Sequence, residues 1–234
     1  MHLDYVFDPP EIPALPVTEQ GPLFPIRRIF CVGRNYAAHA IEMGNEVDRE
    51  APFYFTKSAH CLCHTGREIA YPAVTQDCHY EMEFCVAIGA EAAQVSAANA
   101  MDAVFGYASG IDLTRRDLQA LAKHLRRPWD VGKDFENAAI LGPVTRKADF
   151  GEIADQTIWL DHDGTRAQNA PLSDMIWSVP EIIADLSRLY TLLPGDLIMT
   201  GTPAGVGAVK PGSVLKGGID GLVPVQVTIR KDGQ

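Results

Sequence analysis

The stretch 79–88, HYEMEFCVAI, sets two carboxylates two residues apart inside an otherwise apolar run. Side chains alternate across a strand, so Glu81, Glu83 and Cys85 share one face, and Tyr80, Met82, Phe84 and Val86 the other. Two readings fit such a pair. One is the solvated face of a half-buried edge strand. The other is a semi-buried pair that must share a proton or a cation, because like charges repel. The apolar flanks favour the second, as does a third acid, Asp112, at the end of FGYASGID, where a buried strand is expected to meet a helix. Three carboxylates with no suitably spaced His/Cys pair suit a hard cation held through oxygen. Mg²⁺ or Mn²⁺ would fit, with positions left open for water or substrate.

Other groups have spacings that could serve the same chemistry. His39 and Glu42 lie three apart on a helical stretch, so the carboxylate can orient the imidazole toward taking a proton from water. Taken alone, such a pair is more often a surface pair than a catalytic dyad, and it matters only if its helix covers the metal. Arg116 and Gln119 follow Asp112 by four and seven residues and share its face of the turn, which would aim them at the cation. Arg34, Lys57, Arg115 and Lys133 are single cations, each also readable as surface charge. The loop Gly201–Gly207, GTPAGVG, lacks a phosphate-loop signature, and Pro211-Gly212 blocks a following helix. It reads as a loop that brings backbone groups and the Thr202 hydroxyl to a ligand. HCLCH, 60–64, is a rival metal candidate. Structural zinc sites use two spaced pairs, and buried cysteines behave as small hydrophobes, so a packing role is the expectation here.

The elements that must position these groups are mostly strands. Strands are expected over 29–32, PFYFTKS, CHYEMEFCVAIG, 105–111, DLIM and LVPVQVTI, with a hairpin turning at Asp163-Gly164. A short helix follows Asn35 as N-cap and stops at Gly44. A second, TRRDLQALAKHLRR, carries Leu118, Leu121, Ala122 and Leu125 on one face and ends at Pro128. A third opens on a Ser178/Glu181 capping box. Strands and helices do not alternate, which predicts a mixed, strand-rich α+β fold rather than a Rossmann sheet or an eightfold βα barrel. Residues 8–25 hold six prolines, so 1–25 is expected to be an extended arm with at most one short strand, and 26–234 one catalytic domain.

The 234 residues suffice for a substantial core. No apolar run nears the ~20 residues of a membrane span, and Met1–Glu11 holds no signal-peptide core, so a soluble, cytoplasmic protein is expected. The net charge of −10 argues against nucleic acid and anionic membranes as partners, but leaves room for a local basic pocket and an anionic substrate. Five cysteines, an odd number, are expected to be reduced.

CVGRNYAAHAIEMG, YEMEFCVAIG, GIDLTRRDLQ, GKDFENAAILGP and IMTGTPAGVG stand in an order and at distances that resemble the fumarylacetoacetate hydrolase family, from Arg28 to the end of the chain. RPWDVGKDFENAAILGP is most similar to the branch that cleaves fumarylpyruvate, followed by acylpyruvases and oxaloacetate decarboxylases. The resemblance implies a β-sandwich roll with a few short helices and a homodimer. It also implies Glu81, Glu83 and Asp112 on Mg²⁺ or Mn²⁺, a lid helix bearing His39 and Glu42, and a catalytic lysine at Lys133. Arg34, Arg116, Gln119 and Thr202 match substrate-holding positions, and Lys57, like Arg34, is a candidate for a far carboxylate. HCLCH departs from relatives, which carry small or apolar residues there. The implied reaction is hydrolysis of a 2,4-dioxo acid. His39 takes a proton from a water that attacks the 4-carbonyl, and a pyruvate enolate leaves. Oxaloacetate decarboxylation or tautomerisation, which needs no activated water, is the alternative within the family. A non-catalytic metal module on His60, Cys61, Cys63 and His64 is the alternative outside it.

Overall fold

Two long strands form the spine of the molecule. In the computed structural model, which describes residues 5–18, 21–44, 46–47 and 49–231, Cys78–Ile88 and Val104–Arg115 pair antiparallel along almost their whole length. Both faces of the pair are covered, so the two segments read as near-continuous apolar runs rather than as alternating ones. They centre a sheet in the order Phe53–Lys57, Arg28–Gly33, Asp196–Met199, Cys78–Ile88, Val104–Arg115, Ala139–Leu141, Leu62–His64. Asp196–Met199 is parallel to Arg28–Gly33 and antiparallel to Cys78–Ile88, which makes the sheet mixed.

A second sheet of Thr165–Pro171, Thr157–His162, Val214–Ile219, Val225–Ile229 and Arg67–Ile69 packs across the first, and both contribute to one core. The approach is close: a Cβ on Gly217 would stand 2.5 Å from the Met82 sulfur. The face of Cys78–Ile88 bearing Met82 therefore looks into the sandwich, and the face bearing Glu81 and Glu83 looks the other way. The strand-rich α+β sandwich expected from the sequence is the observed fold.

Local signals performed as their chemistry requires. The hairpin turns at Asp163 and Gly164, with φ of 52° and 80°, as a two-residue turn demands. Val179–Leu189 opens on the reciprocal Ser178/Glu181 box. The helix Ala37–Glu42 stops at Gly44, φ 70°. The proline-rich segment, expected to carry one short strand at most, holds two two-residue strands, Ala14–Leu15 and Phe24–Pro25, paired with each other. Leu15, Val17 and Phe24 are buried in the core, and Val144 exchanges backbone bonds with Pro16 and Thr18.

Three expectations need correction. Asn35 does not cap the helix, whose N-cap is Tyr36 without a side-chain bond. Fully buried, its amide instead donates to the carbonyls of Trp177 (3.0 Å) and Thr200 (2.8 Å) and accepts from the Trp177 N–H (2.7 Å), tying three distant segments together. Asp112 is not at a strand end, because the strand runs on to Arg115. The helix Arg116–His124 buries Arg116, Gln119 and Ala122, whereas Leu121 and Leu125 are 54% and 43% exposed. The inward face is the one that reaches the carboxylates, not the one rich in leucine.

Asn35→Ala strands buried backbone donors and acceptors at Trp177 and Thr200. Unfolding free energy from urea titration is expected to fall by about 2–4 kcal/mol with an unchanged m-value.

Candidate active site

Antiparallel register brings the three acids together. Glu81 lies directly across from Asp112, and Glu83, two residues on, lies across from Gly110. Directly opposed residues hold their Cβ atoms about 5 Å apart. The three carboxylates each offer an oxygen within 4.8 Å of the others, and all are 5% exposed or less.

Three buried like charges require compensation. Lys133, at the end of the one-turn helix Asp130–Lys133, donates from Nζ to Glu81 Oε2 (2.7 Å), Asp112 Oδ2 (2.8 Å) and Thr114 Oγ1 (2.6 Å). Lys57 Nζ lies 2.8 Å from Asp112 Oδ1 and donates to the carbonyls of Leu113 and Lys133. Arg116 donates to Glu81 Oε1 and, at 2.8 Å, to Gln119 Oε1. Three cations thus match three acids.

The match is uneven. Burial would raise the Glu81 carboxyl, but Lys133 and Arg116 outweigh it and hold the group far below the usual carboxylate range. Lys133 is raised in turn, Asp112 and Glu81 overcoming the burial that would lower it. Among the described residues the Glu83 carboxylate has one hydrogen-bond donor, the Gly201 N–H at 2.7 Å. Burial first, then Asp112 and Glu81, push it well above its ordinary value.

The donor set fits a hard divalent cation: all oxygen, clustered within reach of one ion, and with Glu83 short of positive partners. Asp112 Oδ1 points the same way, since its 2.8 Å contact with Lys57 lacks hydrogen-bond alignment. Among the described residues no other His, Cys, Asp or Glu group meets this geometry. In HCLCH, Cys61 and Cys63 are buried core thiols, Cys61 pushed up to about 12 by burial, while His60 is exposed.

A narrow cavity of about 30 Å³ opens onto Glu81, Glu83 and Lys133. His39 lines it, its Nδ1 3.2 Å from Glu42 Oε2. Glu42 in turn accepts the Gly205 N–H at 3.0 and 3.2 Å. A carboxylate on Nδ1 leaves Nε2 as the basic nitrogen. The loop after Asp196–Met199 therefore grips both halves of the site, Glu83 through Gly201 and Glu42 through Gly205. Both glycines have φ of 97°, and a Cβ at Gly205 would fall 2.0 Å from the Ala167 carbonyl oxygen. Thr202, between them, faces the cavity and accepts from Gln168 Nε2 at 2.8 Å.

Arg34, Arg116 and Gln119 also line this cavity. Lys57 does not. It lies fully buried against Asp112 and two backbone carbonyls, so the expectation that it meets a far carboxylate is corrected. Its strand ends beneath the acids, and Asp112 takes up its charge. Lys123 and Trp129 line the cavity without having been singled out in the sequence. Spacing carried the signal for Lys123, which stands seven residues after Arg116 and four after Gln119, on one helical face.

Residues 28–230 match the family described as fumarylacetoacetate (FAA) hydrolase, C-terminal, and the chain belongs to that family. A fumarylpyruvate hydrolase of Ralstonia sp. is 44% identical over 190 residues, covering 80% of this chain and 98% of the relative. A mitochondrial oxaloacetate tautomerase of Oryza sativa subsp. japonica is 40% identical over 207 residues, 87% of this chain and 91% of the relative. The crystal structure of fumarylpyruvate hydrolase from Pseudomonas aeruginosa in complex with Mn²⁺ and pyruvate superposes with a TM-score of 0.94 at 41% identity, covering 98% of this chain and all of that one.

A raised Glu83 fixes the sign of two pH effects. The folded, metal-free protein holds a proton that the unfolded chain releases above about pH 4.3, so this group's contribution to stability falls as pH rises from there to its folded value. A cation needs the ionised form, so affinity rises with pH over the same window. Calorimetry of Mn²⁺ binding in buffers of different ionisation enthalpy, repeated at several pH values, is expected to show net proton release that grows as pH falls; no release at any pH would contradict the assignment.

Proposed function

We propose that this member of the fumarylacetoacetate hydrolase family hydrolyses fumarylpyruvate, a 2,4-dioxo acid, to fumarate and pyruvate, with Mg²⁺ or Mn²⁺ as cofactor. One observation carries the reading: Glu81 and Glu83 of a buried carboxylate triad and the His39 of a His–Glu pair line a single cavity. The similarity to fumarylpyruvate hydrolases over nearly the whole chain supports it.

Glu81, Glu83 and Asp112 hold the cation. When bound, it supplies Lewis acidity to the oxygens of the pyruvyl end and to the enolate that develops there. His39, its Nδ1 fixed by Glu42, takes a proton at Nε2 from a water that attacks C4. The C3–C4 bond breaks, its electron pair leaves on the pyruvate enolate, and the proton held by His39 returns to C3. The attacking oxygen departs in the new carboxylic acid. Lys133 and Arg116 keep fixed positive charge beside the carboxylates where the enolate forms, so no solvent need reorganise. Gln119 and Thr202 contribute polar contacts to the substrate. The catalytic unit spans 26–234, with 1–25 as its arm. The reading extends to a cytoplasmic homodimer in the gentisate route of aromatic-compound breakdown. Among the described residues no helix is long and apolar enough to cross a membrane.

The similarity to an oxaloacetate tautomerase favours a second reading, in which the same metal and enolate chemistry acts without an activated water. His39→Ala separates the two. Pyruvate release from fumarylpyruvate is expected to drop by about 10²–10⁴-fold, with Mn²⁺ affinity retained and metal-dependent carbon dioxide loss from oxaloacetate within an order of magnitude of wild type. Undiminished hydrolysis in His39→Ala would exclude the mechanism.

A further inference from the structure

Two cations of the cavity have no part in holding the acids. Lys57, Lys133 and Arg116 are already paired with Glu81 and Asp112. Arg34 and Lys123 line the same cavity, yet among the described residues neither has a carboxylate within ion-pair distance. Like charges gathered in a concave site without counterions favour an anionic occupant. The carboxylate and developing enolate of a pyruvyl group offset the two charges of a divalent cation, so they leave Arg34 and Lys123 unmatched.

The local structure holds Lys123 in place, whereas Arg34 is an exposed residue of the cavity lining. The Lys123 ammonium sits over the Trp129 ring, 4.7 Å from its centroid. Trp129 is wedged against Phe53 and Phe55 at 4.8 and 6.0 Å between centroids. Burial first, then the charges of Arg116 and Arg34, lower Lys123 to about 8, a penalty that a bound anion relieves. Arg34 has φ of 59°, a left-handed conformation uncommon for a residue other than glycine, at the turn between the strand Arg28–Gly33 and the His39 helix. Phe55, Trp129 and Met43 supply an apolar part of the lining suited to a short acyl chain.

We propose that Arg34 and Lys123 form the subsite for a second carboxylate, so that the preferred substrate is an acylpyruvate with a distal acid, and that Trp129 is the positioning residue for Lys123. This rests on the hydrolase reading above. The test compares kcat/KM of the Mn²⁺-loaded enzyme on fumarylpyruvate and on acetylpyruvate, which has a methyl group in place of the distal acid. In Lys123→Met the ratio of the two is expected to fall about tenfold or more, chiefly through KM for fumarylpyruvate, and Lys123→Arg is expected to restore most of it. Trp129→Leu lowers the same ratio by a smaller factor. Arg34→Asn, with a side chain that tolerates the left-handed backbone, makes the comparison independently if Lys123→Met folds poorly. An unchanged ratio in Lys123→Met or Arg34→Asn, with an active wild type, overturns the subsite and leaves the hydrolase reading standing. A wild type that hydrolyses neither compound ends the hydrolase reading, and the subsite falls with it.

Discussion

Three carboxylates lie side by side on a buried face of a β-sheet, and an apolar interior does not tolerate that charge unaided. Much of the surrounding structure follows from answering it. Lys57 arrives from the edge strand Phe53–Lys57 with its whole side chain buried, and Lys133 from a one-turn helix whose last residue bridges Glu81 and Asp112. Arg116 is the first residue of a helix whose burial is set by the reach of that guanidinium to Glu81 rather than by its leucines. The neutralised cluster still leaves Glu83 short of positive charge. That deficit marks the place where a divalent cation improves the electrostatics instead of merely adding to them.

The glycine-rich loop couples this cluster to the proton-transfer pair. Gly201 donates to Glu83, Gly205 donates to Glu42, and Thr202 between them faces the cavity. Asn35 fastens the start of the His39 helix to the Thr200 carbonyl, one residue before that loop. The base and the cation site are therefore held by one stretch of backbone. The 97° φ angles of Gly201 and Gly205 and the 2.0 Å clearance at Gly205 explain why those positions lack side chains. Movement of the loop would alter both halves together, which suits chemistry that needs an activated water and a stabilised enolate at the same moment.

Much of the site was legible because its signals are local. Period-two spacing put Glu81 and Glu83 on one face, and a three-residue spacing paired His39 with Glu42. Long-range effects were not legible in the same way. The pairing of Asp112 with Glu81 depends on register between strands. The burial of Lys57 depends on an acid supplied by another strand, which nothing in PFYFTKS announces. Asn35 has the composition of a helix cap but is used as a tertiary fastener. On Arg116–His124 two patterns compete, leucines on one face and Arg116, Gln119 and Ala122 on another. Charge compensation decides in favour of the second. The His60–His64 cluster illustrates the opposite hazard, since ligand-type residues close in sequence are separated by alternation into buried thiols and outward imidazoles.

The claim at the centre of this account is that the carboxylate cluster is a cation site on which hydrolysis depends. The direct measurement is pyruvate release from fumarylpyruvate by EDTA-stripped protein as Mn²⁺ or Mg²⁺ is titrated back. Release that is absent in the stripped protein and saturates near one ion per chain is the predicted result. Release at the same rate in excess EDTA would contradict the account.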